Sequence, residues 1–176
     1  MSTEELKRLP RRNLTLYASS EEIMARLRDR LEANTDSEIV RNAVKFLDRL
    51  LADEDKGLVL EVRPRGAPRY VVRYRSLAAR SGENLAIVKR NIILNDAAIA
   101  RLSRMKRMAG VTSDSEIVRR ALRYLDLIST EAANGAEFVV VDTNRVDPEP
   151  DVRVRMDIFV CHSTGDDLPV RVPAVA

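Results

Sequence analysis

The chain has 176 residues and a mass of 19.8 kDa, room for one medium domain or two small ones. Hydrophobic residues at 45% beside charged residues at 32% predict a folded, soluble chain rather than a disordered one. The single cysteine, Cys161, rules out an intrachain disulfide and suits a reducing compartment. The single histidine, His162, leaves little for a His-based metal site or a serine–histidine triad.

The net charge of +3, from 30 basic and 27 acidic residues, says little by itself. Its distribution says more: net −1 over residues 1–57, +6 over 58–90, +2 over 91–135 and −4 over 136–176. The N-terminal stretch MSTEELKRLPRR lacks the apolar core of a secretion signal, and no apolar run reaches membrane-span length. With no Trp and seven Phe or Tyr, stacking platforms for single-stranded nucleic acid are not expected.

The chain contains a repeat. RNLTL (12–16) resembles RNIIL (90–94), and DSEIVR (36–41) recurs letter for letter at 114–119. Both pairs are offset by 78 residues, and an ungapped comparison of 12–57 with 90–135 matches at 14 of 46 positions. Each copy opens with period-two alternation, Leu14 and Leu16 or Ile92 and Leu94, which predicts a strand with one buried face.

A capped helix follows. Ser19 with Glu22 forms a capping box in the first copy, and Asn95-Asp96 starts the helix in the second. Its apolar stripe is Ile23, Leu27 and Leu31, or Ile99, Leu102, Met105 and Ala109. Asn34 and Gly110 stand where a left-handed C-cap is expected. The ARL triplets (25–27 and 100–102) put three extra residues before DSEIVR in the second copy, so the first helices or their exits are expected to differ.

Capping boxes from Thr35 to Glu38 and from Ser113 to Glu116 begin a second helix. Its stripe is Ile39, Ala43, Leu47 and Leu50, or Ile117, Ala121, Leu125 and Ile128, widened by Val40 and Val118. The helices end before Gly57 and Gly135. Two hairpins are expected next: LVLEVR (58–63) with RYVVRYR (69–75), and EFVVVD (137–142) with VRVRMDIFV (152–160) around a loop holding Pro148 and Pro150.

A strand and two capped helices in about 45 residues bury too little surface to fold alone, so each copy needs a partner. The motifs RNLTL and RNIIL, followed by TDSEIVRNAVKFL and TSDSEIVRRALRYL, resemble the ribbon-helix-helix family of DNA-binding proteins. The resemblance covers about half the chain. It implies an α+β fold of two ribbon-helix-helix units, each followed by a β-hairpin, as an intrachain pseudo-dimer or an intertwined homodimer. The expected divisions are 10–56 for unit 1, 57–87 for a basic hairpin and linker, 88–134 for unit 2, 135–163 for a C-terminal hairpin and 164–176 for a flexible tail.

The resemblance also implies double-stranded DNA as partner, read in the major groove by a two-stranded antiparallel ribbon. The base-reading set is then Arg11, Asn13 and Thr15 with Lys89, Asn91 and Ile93. Ile93 departs from the polar pattern; either it meets a thymine methyl or the second copy reads DNA poorly. Thr35, Asp36 and Ser37 with Ser113, Asp114 and Ser115 match the family's phosphate-binding helix starts, although the two carboxylates would repel phosphate. Arg12 and Arg90 alternate onto the buried side and are expected to reach ribbon-flanking phosphate or cap an edge rather than read bases.

Arg63, Arg65, Arg69, Arg73 and Arg75 make an arginine-rich hairpin, either a second phosphate surface or a solvated face. No cofactor, metal or catalytic constellation is expected. Cys161-His162 lacks further ligands, and Asp166-Asp167 sits in the tail. The expected role is a transcriptional repressor in the nucleoid-associated cytoplasm. Alternatives are a relaxosome accessory protein, or an antitoxin-type module whose acidic C-terminal segment binds a protein.

Overall fold

A computed structural model of the chain describes residues 10–73 and 86–144, and the backbone of 152–153. Among these residues the fold is α+β: four helices with two small antiparallel sheets. The strands are β1 (Arg11–Tyr17), β2 (Leu58–Arg63), β3 (Tyr70–Val72), β4 (Ile87–Ile93), β5 (Glu137–Asp142) and β6 (Val152–Arg153). The helices are α1 (Ala18–Arg30), α2 (Asp36–Glu54), α3 (Asp96–Ala109) and α4 (Asp114–Ala133). Arg75, Pro148, Pro150, Cys161, His162, Asp166-Asp167, most of the far arm of the second hairpin and the 164–176 tail lie outside the described residues.

The chain divides into two compact units, and the division falls inside α2 and α4 rather than at the repeat boundaries. One unit takes residues 1–48 and 79–126; the other takes 49–78 and 127–176. Each repeat therefore contributes to both.

In the first unit β1 pairs antiparallel with β4. The alternation in the sequence explains which face is buried. Leu14 and Ile92 are 1% exposed and Leu16 and Leu94 fully enclosed, while the residues between them face outward. Ile39, Val40 and Ala43 of α2, and Ile117, Val118 and Ala121 of α4, are completely buried in the same unit. The register places Asn13 opposite Asn91, residues 78 apart, so a local two-fold relation passes between them.

Ladder bonds run through the even-numbered residues. At the ribbon ends, Leu94 N–H donates to Pro10 C=O at 3.1 Å and Ala18 N–H to Ala86 C=O at 2.9 Å. Asn13 and Asn91 thus form a non-hydrogen-bonded pair, the closer kind, with Cα atoms about 4.5 Å apart. That spacing lies within disulfide range. With Cys161→Ser removing the native thiol, Asn13→Cys and Asn91→Cys together should oxidise to an intrachain bond. Non-reducing electrophoresis should show a monomer of altered mobility; a covalent dimer would contradict intrachain pairing.

Several local expectations need correction. Helix α1 begins at Ala18 with Tyr17 as N-cap and no side-chain cap bond, so Ser19 does not cap it. The equivalent Asn95 does cap α3, its side chain accepting from Ala98 N–H at 2.9 Å. The left-handed residue after α1 is Glu32 (φ 49), not Asn34. Its counterpart 78 residues on is Gly110 (φ 65). The two helix exits therefore match without a gap, and the shifted ARL triplets do not mark equivalent positions. In α1, Met24 is also buried, and in α3 Ala98 is buried while Ile99 is half-buried.

The second unit holds a four-stranded sheet of order β3-β2-β5-β6. The two hairpins are joined through an antiparallel β2–β5 pairing that hydrophobic patterning does not predict. Glu61 lies opposite Val139, again residues 78 apart, so the duplication extends into the hairpins. Val59, Val139 and Val141 form a buried cluster there. Tyr70 donates its hydroxyl to Glu131 at 2.9 Å; burial, then this bond, pushes its pKa up to about 12. The turn before β2 requires glycine: Gly57 has φ +76, and a Cβ there would lie 2.0 Å from Asn144.

Candidate nucleic-acid interface

The outward row of the ribbon comprises Arg11, Asn13 and Thr15 on β1 and Ile93, Asn91 and Lys89 on β4. These pair directly as Arg11↔Ile93, Asn13↔Asn91 and Thr15↔Lys89. Arg11, Asn13, Lys89 and Asn91 are exposed, and Thr15 and Ile93 are half-buried. The six residues expected from the sequence thus share one face. None of the Arg11, Arg12, Asn13, Lys89 or Asn91 side chains has a partner among the described residues.

Arg12 and Arg90 occupy the opposite alternation and are both exposed. Arg90 is engaged: its Nε donates to Glu21 Oε1 at 2.9 Å. That hydrogen bond and then the carboxylate charge raise its pKa above the usual guanidinium value. Such a surface pair contributes roughly 0–1 kcal/mol. Half of the expected phosphate-flanking pair is therefore partly neutralised.

The DSEIVR motif has a role that its letters do not show. Ser115 Oγ accepts the Thr15 N–H at 2.9 Å, and Ser37 Oγ accepts the Ile93 N–H at 3.1 Å. Arg119 donates to Thr15 C=O at 2.6 Å, and Arg41 donates to Ile93 C=O at 3.3 Å. Each repeat thereby fixes the outward-pointing backbone of the other repeat's strand, at positions 78 apart. Arg119 also lies over the Tyr17 ring, 4.4 Å from its centroid. Leaving such a backbone N–H unmade in a part-buried site costs about 1–3 kcal/mol.

The acidic residues of the motif are also accounted for. Asp36 pairs with Arg28, and Asp114 with Lys106 at 2.6 Å, tying each second helix to the exit of the first. Thr35 Oγ1 accepts from Glu38 N–H at 3.2 Å and Ser113 Oγ from Glu116 N–H at 3.4 Å. The side chains of Asp36, Ser37, Asp114 and Ser115 thus serve the fold, so a phosphate role at these helix starts would fall to their backbone N–H groups. Thr35 and Ser113 are exposed, their hydroxyl oxygens serving as helix caps.

Two further identities between the copies acquire a role here. Arg26 Nη2 meets Asp126 at 2.7 Å, and Arg104 Nε meets Asp48 at 3.0 Å. Arg26 matches Arg104 and Asp48 matches Asp126, so these are reciprocal cross-repeat ion pairs. Identity between copies is the signal the sequence offers; it does not identify the partners.

The arginine-rich hairpin belongs to the second unit. Arg63 donates to the buried Glu61 at 2.6 Å, and Arg69, 70% exposed, stands 3.8 Å from the same carboxylate. Arg65 and Arg73 are exposed, and Arg75 lies outside the described residues. Among the described residues no group of three or more His, Cys, Asp or Glu forms a possible metal site, and no helix is long and apolar enough to cross a membrane.

The chain matches no protein-family model, no curated protein and no solved structure.

Proposed function

We propose that the first unit is a ribbon-helix-helix pair within one chain, and that the protein binds double-stranded DNA sequence-specifically as a transcriptional repressor or autoregulator. One observation carries the reading. Asn13 and Asn91, exposed and without side-chain partners among the described residues, face each other between Arg11 and Lys89. Asn suits adenine N6/N7 and Arg or Lys suits guanine O6/N7 in the major groove.

The dimensions support it. A two-stranded ribbon fits a groove about 12 Å wide. From residue 11 to residue 15 a strand advances about 13 Å, the rise of roughly four base pairs. The opposite face closes the core, so the ribbon presents its outward row without unfolding. Arg11, Arg12 and Lys89 supply positive charge toward the phosphates.

Fluorescence anisotropy with a duplex selected from a random pool tests this. Binding should exceed that to random duplex, and the logarithm of the association constant should fall linearly with the logarithm of salt concentration. The expected slope is about −0.9 per phosphate neutralised. Equal binding to both duplexes would overturn the assignment.

A further inference from the structure

The outward row is not symmetric under the two-fold relation that organises the strands. Arg11 corresponds to Lys89 and Asn13 to Asn91, both pairs alike in chemistry, but Thr15 corresponds to Ile93. Ile93 is the one apolar member of the six.

Three features bear on what that side chain does. It stands directly opposite Arg11, so the two project from the same end of the ribbon. Its backbone is held on both sides, the N–H by Ser37 at 3.1 Å and the C=O by Arg41 at 3.3 Å. Its β-branched side chain is restricted at χ1. The side chain therefore leaves a fixed point in a restricted direction, the condition for selecting a ligand rather than adapting to one. In the major groove the apolar group that distinguishes one base from the others is the C5-methyl of thymine.

We propose that Ile93 reads a thymine methyl at one end of the bound site only, the end at which Arg11 reads guanine. The inference rests on the DNA-reading assignment above. The bound sequence is then a broken palindrome: its centre is matched by the two asparagines, and its ends differ because Thr15 with Lys89 reads one and Arg11 with Ile93 the other.

The test uses the full chain and duplexes it selects from a random pool. Each thymine of the selected site is replaced in turn by deoxyuridine, which pairs identically but lacks the methyl. One replacement, in one half of the site, should weaken binding about fourfold, the effect of losing one buried methyl. The symmetry-related position should show no change. In Ile93→Ala the sensitive position should become insensitive, while Ile93→Val, which keeps a branched apolar surface, should retain part of the effect.

The deoxyuridine scan on the unaltered chain needs no variant, so misfolding cannot obscure it. A selected site with a flat scan, equal effects in both halves, or sensitivity that persists in a folded Ile93→Ala protein would overturn this proposal alone. Failure to enrich any sequence would overturn the DNA-reading assignment and this proposal with it.

Discussion

Replacing Asn13 and Asn91 together by alanine should abolish most sequence discrimination while leaving the fold intact. Each well-made Asn–adenine contact discriminates by about 1–3 kcal/mol, so losing two corresponds to roughly 30-fold or more in the preference for selected over random duplex. Both side chains are exposed and neither has a partner among the described residues, so no interaction within those residues is lost. Anisotropy titrations with the two duplexes measure the preference, and a thermal melt checks the fold. Residual binding to random duplex should persist, because Arg11, Arg12 and Lys89 remain. An unchanged preference would remove the ribbon from the recognition surface.

The adjacent residue should behave in the opposite way. Leu14 is 1% exposed on the inward face of the same strand. Leu14→Ala removes buried methyl groups and leaves a cavity that the core closes only in part, at a cost of about 2–5 kcal/mol. Against a total stability of roughly 5–15 kcal/mol, that is a large fraction. Denaturant unfolding should show a lowered midpoint, and at low temperature the folded fraction should keep its preference among duplexes. A midpoint equal to that of the unaltered chain would contradict the face assignment of β1. The contrast between residues 13 and 14 follows from the two-residue period of a strand.

Part of this fold is legible in the amino-acid sequence. The alternation at 13–16 and 91–94 identifies the buried face because one side of a ribbon must be apolar. The caps at Asn95, Thr35 and Ser113 are legible because side-chain acceptors near a helix start act locally. What stays hidden is long-range. Arg26 and Asp48 are identical in both copies, but identity does not say that each reaches across to the other repeat. Ser37 and Arg41 look like ordinary polar residues of an amphipathic helix, and only the register of β4 shows that they hold Ile93. The joining of two hairpins into one sheet depends on pairing between strands 79 residues apart at their first residues, Leu58 and Glu137, which periodicity does not encode.

The local misreadings have physical causes too. Tyr17 carries its only side-chain oxygen at the far end of the ring and makes no cap bond, so nothing in the letters marks it as the N-cap, while two serines downstream imitate a capping box. Glu32 adopts a left-handed conformation that glycine fills in the other copy, where Gly110 signals it plainly. Letter similarity in the ARL triplets misleads for the same reason: the structural offset is carried by ion pairs and backbone geometry, not by the best local match.

The most direct measurement is a dimethyl sulfate footprint on a selected duplex. The reagent methylates guanine N7, which lies in the major groove, and adenine N3, which lies in the minor groove. Binding of the unaltered chain should protect one or more guanine N7 positions within the site and leave adenine N3 reactivity unchanged. Protection confined to adenine N3, or no protection at saturating protein, would contradict a ribbon seated in the major groove.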